Sequence, residues 1–285
     1  MSVIRVVSYN IHKGRSATGS RESLSALRLG LYGLRPDLLF LQEVQGRNQR
    51  HSSLDAQHES LAAALRMEAA YGCNAVRTGT DHGNALLSRY PIISFENQDV
   101  SDHRLEQRGL LHGIVRVDDA CVHCIVVHLG LFAGGRSRQV LALLERIRRV
   151  VPDHEPLLIA GDFNDWDNRL APLFVEQLGL VEVFAAAPQG VDEIYRLRRK
   201  VARLRDAMPW FQSSGGLMRS PELGMSGHAA RLTPPPRTFP SAFPWFRLDR
   251  IYQRGFAVRR ARVLHGAPWK QLSDHAPLLA ELELP

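Results

Sequence analysis

The chain reads as an α/β protein on three observations. Short apolar runs of strand length alternate with stretches whose apolar residues recur at helical spacing. The layout of strand, helix, strand recurs loosely in both halves, which fits two stacked sheets. Polar residues able to do chemistry stand at the ends of the apolar runs, where loops of α/β folds converge on one face.

Taken in order, Val3–Tyr9 is a predicted strand and Glu22–Tyr32 a predicted helix, with Leu24, Leu27 and Leu31 as its buried stripe and Pro36 beyond its end. Leu38–Gln42 is a strand and Leu54–Leu65 a helix. Strands follow at Ala69–Ala75, Asn84–Ser88, Ile92–Asn97, Leu110–Val117 and Val122–His128. Arg136–Val150 places Val140, Leu143, Leu144 and Ile147 on one helical face, with Pro152 just past it. Leu157–Ala160 is a short buried strand, Leu170–Leu178 a helix and Leu180–Phe184 a short strand. From Pro188 to Pro236 the periodicity weakens, and Ser213-Ser214-Gly215-Gly216 and Pro234-Pro235-Pro236 mark irregular chain. Within it, Arg196–Arg205 carries six Lys/Arg, and Leu197, Val201 and Leu204 recur at helical spacing, a short basic amphipathic helix. Arg247–Gln253, Ala257–Leu264 and Pro277–Glu283 finish the chain as strands.

The most informative string is Gly161-Asp162-Phe163-Asn164-Asp165, directly behind Leu157–Ala160. Side chains two apart on an extended segment share a face, so Asp162 and Asn164 are expected to project together, with Gly161 letting the backbone turn. That pairing suits a phosphate, a water nucleophile or a divalent cation; the plainer reading is an Asx-type turn. Four other strings repeat the pattern: Ser8-Tyr9-Asn10-Ile11-His12, Gln42-Glu43, His128-Leu129 and Ser273-Asp274-His275. Each alone has a plain alternative: a turn for Asn10, a helix-start acid for Glu43, a packed core imidazole for His128.

The ordered set Asn10, Glu43, His128, Asp162/Asn164, Asp249 and Asp274-His275 resembles the endonuclease/exonuclease/phosphatase superfamily, carried by SYNIH, LQEV, GNALLSR, VVHL, GDFND, LDRIY and SDHAPL between residues 8 and 278. The resemblance implies a four-layer sandwich of two mixed β-sheets flanked by helices, a single domain over 1–285 with an irregular basic insertion at about 188–236, and a metal-dependent phosphoesterase. It implies Glu43 as the carboxylate holding Mg²⁺, with Asn10 and Asp274 as further ligands, direct or through water. It implies His275 as general base oriented by Asp249, and Asp162 and Asn164 positioning water and a phosphate oxygen; in some relatives the aspartate is the base, which exchanges the two roles. His128 would bind the phosphoryl oxygen or protonate the leaving group. Arg108 is a candidate phosphate fork and reads equally well as a surface arginine on a strand edge; Thr238 is a weaker phosphate contact, and Asn84 reads equally well as a strand-start amide. His12 departs from the pattern, standing where some relatives have a metal-binding carboxylate; as a ligand it would soften the site and admit Mn²⁺ or another transition ion, and the alternative is a residue that contacts substrate or packs.

Composition fits a globular enzyme: 285 residues, 45% apolar and 23% charged. No apolar run reaches the ~18 residues of a spanning helix. The start MSVIRVVSYN enters a strand without a signal-peptide pattern, and three cysteines form no even framework, so the reducing cytoplasm is the expected compartment. Cys121 and Cys124 frame a C-x-x-C, but in strand geometry neighbours point to opposite faces, against a zinc or redox role. The net charge of +7 suits phosphate-rich partners, nucleic acid or an anionic membrane, and reads equally well as a solvated basic surface. Together with the LDRIY likeness it slightly favours DNA or RNA as substrate; the alternative is a phospholipid or sphingolipid ester at a membrane surface. Exposure of Phe239, Phe243, Trp245 and Phe246 would strengthen that alternative.

Overall fold

The computed structural model describes residues 2–103, 106–188 and 234–285. The predicted basic helix Arg196–Arg205 and the apolar residues after it (Trp210, Phe211, Leu217, Met218) lie outside the described residues. Among the described residues, twelve strands form two six-stranded mixed sheets. The first contains β1 (Ser2–Asn10), β2 (Leu38–Asn48), β3 (Glu68–Arg77), β4 (Thr80–Ser88), β11 (Ala257–Val263) and β12 (Leu278–Leu284), in the order β11-β12-β1-β2-β4-β3. The second contains β5 (Ile92–Asp99), β6 (Gly109–Val117), β7 (Ala120–His128), β8 (Leu157–Asp162), β9 (Val181–Glu182) and β10 (Asp249–Arg254), in the order β5-β6-β7-β8-β10-β9.

Each strand alternates faces, so one set of apolar side chains meets the other sheet and the opposite set meets helices. Val6, Phe40, Leu86, Leu111, Val126, Leu158, Ile251 and Leu282 belong to the core between the sheets. On the outer face of the first sheet, Val7, Leu39 and Leu279 pack with Leu27 and Leu31 of α1 (Leu24–Leu34) and Leu61 of α2 (Gln57–Leu65). On the outer face of the second, Ile125, Val127 and Ile159 pack with Val140, Leu143, Leu144 and Ile147 of α3 (Ala133–Val150) and Phe174 of α4 (Ala171–Leu178). The predicted helical stripes are therefore the buried ones, each such aliphatic side chain contributing about 1.5–3 kcal/mol of burial.

The structure revises three local expectations. Leu180–Phe184 is a strand only at Val181–Glu182, then becomes α5 (Val183–Ala186), because the buried Glu182 carboxylate caps it by accepting the Ala185 N–H at 2.9 Å. β2 runs beyond Gln42 to Asn48, with its pairing to β4 shifted between Leu41 and Val44. A four-residue helix, α6 (Trp269–Leu272), precedes β12; one turn carries no measurable period in sequence. Among the described residues no helix is long and apolar enough to cross a membrane.

Strand direction decides where the chemistry goes. β1 and β2 are parallel, as are β7 and β8, so Asn10, His128 and Asp162 lie at carboxyl ends, and Glu43 stands mid-strand in β2, just past the Asn10–Gln42 pair where the pairing with β1 stops. β10 and β12 run antiparallel to β8 and β1, so Asp249 begins its strand, and Asp274-His275 precedes its own, at that same end.

Candidate active site

His128 pairs with Asp162 across β7/β8, and Asp162 pairs with Asp249 across β8/β10, which puts three polar residues in one row. Asp249 Oδ2 lies 2.9 Å from His275 Nδ1. The other face of that imidazole turns inward, with Nε2 3.7 Å from Asp162 Oδ2; His128 Nε2 lies 3.6 Å from the same oxygen. Asn10 crosses from the first sheet, its Nδ2 3.4 Å from Asp162 Oδ2 and 3.5 Å from Glu43 Oε1. Six residues from six distant stretches of sequence thus form one continuous polar cluster, and all but Glu43 are buried.

The backbone around it is held in costly conformations. His12, Lys13, Glu43 and Asn164 all have positive φ, of 47°, 58°, 54° and 49°. Left-handed backbone in a non-glycine residue costs on the order of 1 kcal/mol, and its concentration at a polar cluster is what functional sites show. At Glu43 it is accommodated by the β2 irregularity.

Asp162 and Asn164 do not project as neighbours on a strand. β8 ends at Asp162, Asn164 turns left-handed, and its N–H donates to Asp162 Oδ1 at 2.9 Å while its Nδ2 donates to the Leu129 carbonyl at 2.8 Å. The Asx-type turn is therefore present, and it steers Asp162 Oδ2 toward the imidazoles. Gly161 serves close approach rather than a turn: at φ 149°, a Cβ there would stand 1.9 Å from the Val127 carbonyl oxygen.

Burial raises the Asp162 carboxyl to about 6, opposed by His275 and reinforced by the Asp249 charge. For His275, burial pulls the other way, yet the Asp249 carboxylate overcomes it and pushes the imidazole up to about 10. His128 is held well below the ordinary imidazole range by burial and by the nearby Arg108 charge. Burial alone would raise Glu43; charge from His128 when protonated and from Lys13 holds it well below the usual carboxylate range. Since His128 is held neutral, Lys13 carries most of that effect, its Nζ 2.7 Å from Glu43 Oε2.

Among the described residues, Asp162, Asp249 and His275 each place one possible ligand atom within 4.8 Å of the others. Asp249 and His275 are already bonded to each other, which suits proton handling better than metal ligation. The Asn10–Glu43 corner fits a hard divalent cation better: its donors are oxygen-bearing, Glu43 is ionised, and a cationic group, Lys13, already answers its charge. Asp274 stands beside it, its Oδ1 3.2 Å from Ser273 Oγ and 3.8 Å from His12 Nδ1. His12 Nδ1 also lies 3.2 Å from the Ser16 carbonyl, and its N–H donates to Asn10 Oδ1.

Two expected substrate contacts face elsewhere. Arg108 donates to the carbonyls of Leu129 and Gln107 and lies 3.5 Å from Glu106 Oε1, so its charge reaches His128 while its fork is engaged. Thr238 is fully buried, its Oγ1 3.4 Å from the Asp249 backbone N. Asn84 ties the two sheets together, donating to the Gly109 carbonyl at 3.0 Å. The sequence reading missed Lys13 and Ser273. Ser273 Oγ donates to the Asn10 carbonyl at 2.6 Å and accepts from the His275 N–H at 3.3 Å, stapling β1 to the segment before β12. Their only sequence signal was position, Lys13 directly after SYNIH and Ser273 as the first residue of SDH.

The sequence profile of the Endonuclease/Exonuclease/phosphatase family matches residues 7–275. The chain belongs to that family. A curated family relative, the uncharacterized protein YbhP of Escherichia coli strain K12, is 35% identical over 288 residues, covering 98% of this chain and 96% of that protein. In shape the chain is similar to an endonuclease/exonuclease/phosphatase from Beutenbergia cavernae, with TM-score 0.70, 19% identity, and coverage of 100% of this chain and 72% of that one. It is also similar to D. rerio TDP2 complexed with a single-strand DNA product, with TM-score 0.63, 15% identity, and coverage of 99% and 100%. Two mixed sheets with flanking helices are the architecture shared with these family structures. The family is one of phosphoesterases and nucleases, generally dependent on divalent metal.

Proposed function

We propose that this chain is a divalent-metal-dependent phosphodiesterase, using Mg²⁺ or Mn²⁺. The observation that carries the reading is the single cluster in which Asp249, His275, Asp162, His128, Asn10 and Glu43 follow one another at bonding or near-bonding distances. Asn10, Glu43 and Asp274 would hold the ion, which when bound neutralises phosphoryl charge.

A phosphodiester is anionic and resists attack, so the protein must position water, take its proton and tolerate charge. Asp162 takes that proton: its pKa near 6 leaves it ionised yet basic at neutral pH. His275, kept doubly protonated by Asp249, holds Asp162 in place and offers positive charge to the phosphoryl group. The structure thus favours the exchanged assignment, with the aspartate as base. Asn164 fixes the Asp162 carboxylate, and neutral His128 donates a hydrogen bond to a phosphoryl oxygen. Arg108 adds charge from behind His128, and Thr238 seats Asp249.

For the substrate, nucleic acid draws support from the net charge of +7 and from the likeness to TDP2, a protein seen with a DNA product. A lipid phosphodiester draws support from a different observation, the exposure of Phe243, Trp245 and Phe246 beside the site. A turnover screen with Mg²⁺ or Mn²⁺ over plasmid DNA, single-stranded RNA, sphingomyelin, phosphatidylglycerol and inositol phosphates tests the reading. Turnover that survives exhaustive chelation, or none on any ester, overturns it.

A further inference from the structure

The loop between Thr238 and Phe246 has an anchored base and an apolar tip. Its base is closed by the Phe239–Phe246 bridge, with Thr238 N–H donating to the Phe246 carbonyl at 2.9 Å and Trp245 N–H to the Phe239 carbonyl at 2.7 Å. It is bonded to the segment that carries the site: Ser241 N–H donates to the Asp274 carbonyl, Ala276 N–H to the Thr238 carbonyl, and Ser241 Oγ to the Ser273 carbonyl at 2.6 Å. The Phe239 ring lies 4.9 Å from the His275 ring, centre to centre. Beyond this base, Ala242, Phe243, Trp245 and Phe246 are exposed, Phe243 at 72% and Trp245 at 59%.

A nearly continuous run of exposed apolar residues is what soluble surfaces avoid, because it leaves aromatic area in water for no folding gain. The run from Pro234 to Leu248 contains no Asp or Glu, and Arg237 and Arg247 flank the tip. Aromatic residues between cations suit the boundary of an anionic bilayer, where rings enter the headgroup region and guanidinium groups meet lipid phosphates. A stacking platform for nucleic-acid bases is the other partner with this composition. Trp245, however, already packs with Phe243 at 6.3 Å between ring centres and with the Arg237 guanidinium at 5.8 Å, so the loop offers apolar area more than a bare stacking face.

We propose that the Phe239–Phe246 loop docks the protein on an anionic phospholipid surface, with the His275 site held at headgroup depth. This deepens the lipid reading of the phosphodiesterase site and rests on it for the ester's identity, though not for binding. Full-length protein is sedimented with vesicles of phosphatidylcholine alone and of phosphatidylcholine with phosphatidylglycerol. The expected result is co-sedimentation with the anionic vesicles, at least tenfold stronger than with neutral ones. A Phe243→Ser, Trp245→Ser double variant should lose at least tenfold in partition while Glu43→Ala binds like wild type. As a second measurement on a gentler change, brominated lipid in the anionic vesicles should quench wild-type tryptophan emission more than that of Trp245→Phe. Wild-type protein that stays in the supernatant overturns the proposal. So do a double variant that sediments unchanged, Trp245→Phe quenching equal to wild type, or a double variant whose deficit is in single-stranded DNA binding instead. Absence of turnover on every ester, with vesicle binding intact, would overturn the enzymatic reading alone.

Discussion

The two sides of the site are built differently. On the proton-handling side, Asp162, Asp249, His275 and His128 are all buried, and their positions follow from straight strand registers plus one short bond at 2.9 Å. On the cation-facing side, Glu43 and Lys13 are partly exposed, their backbones are left-handed, and their 2.7 Å contact joins two side chains from separate elements. The difference teaches that one side is preorganised by the sheet, whereas the other is poised, with the Lys13 ammonium against the carboxylate that would hold the proposed divalent ion. Water exclusion keeps the pKa values of the first side displaced, and partial exposure of the second would let the proposed ion enter with its waters.

The sharpest way to break this division is Glu43→Ala. Turnover should fall by on the order of 10³-fold, and calorimetric titration with Mn²⁺ should show the binding isotherm lost while the fold persists. If Mn²⁺ binds the variant normally, the cation side has been misplaced.

Asp249→Asn tests the opposite side and should cost roughly 10²-fold in kcat/KM. In the wild type, kcat/KM should rise as Asp162 ionises near pH 6 and fall as His275 loses its proton near pH 10. In the variant the alkaline limb should move toward acid. Stability carries the same sign: His275 is raised in the fold, so its contribution is complete below the ordinary imidazole range and fades as pH climbs through about 10. Melting temperature should therefore fall across that alkaline window in wild type and stay flatter in Asp249→Asn. An unchanged alkaline limb would remove the Asp249–His275 pair from the mechanism.

Ser273→Ala removes the staple between the two sides. A buried hydroxyl with three polar neighbours, the Asn10 carbonyl, Asp274 Oδ1 and the His275 N–H, is worth about 1–2 kcal/mol, or roughly tenfold in the folding equilibrium. Urea unfolding should show that loss without a change in slope; no loss would mean the sides are joined by other contacts. The smallest effect is expected for Lys13→Gln. Relieving an ammonium that competes for Glu43 should tighten Mn²⁺ binding by roughly fivefold, the upper range for a part-exposed ion pair. Weaker binding in that variant would show that Lys13 supports the ion rather than competing with it.

Much of this was legible in the chain itself, for identifiable reasons. Strands such as Leu157–Ala160 and the α3 stripe of Val140, Leu143, Leu144 and Ile147 announce themselves because burial on a fixed period leaves a pattern in sequence. Asn10, Glu43, Asp162 and His275 stand out because each interrupts an apolar run, or adjoins one, with a costly polar group. Short or irregular features were less legible: α6 is too brief to show a period, and the irregularity at Glu43 breaks the alternation that would have carried β2 to Asn48.

The sequence by itself determined which apolar stripes would be buried, where most strands and helices would run, and which polar groups would stand at or beside the apolar runs, since all of these are one-dimensional patterns of solubility and turn chemistry. Only the tertiary structure decided that Asn164 closes a turn behind Asp162, that Arg108 turns onto Glu106, that Thr238 supports Asp249, and that Lys13 meets Glu43. The direction and partner of a polar side chain depend on groups far away in the chain, brought within a few ångströms by the pairing of strands. No local pattern encodes that distance.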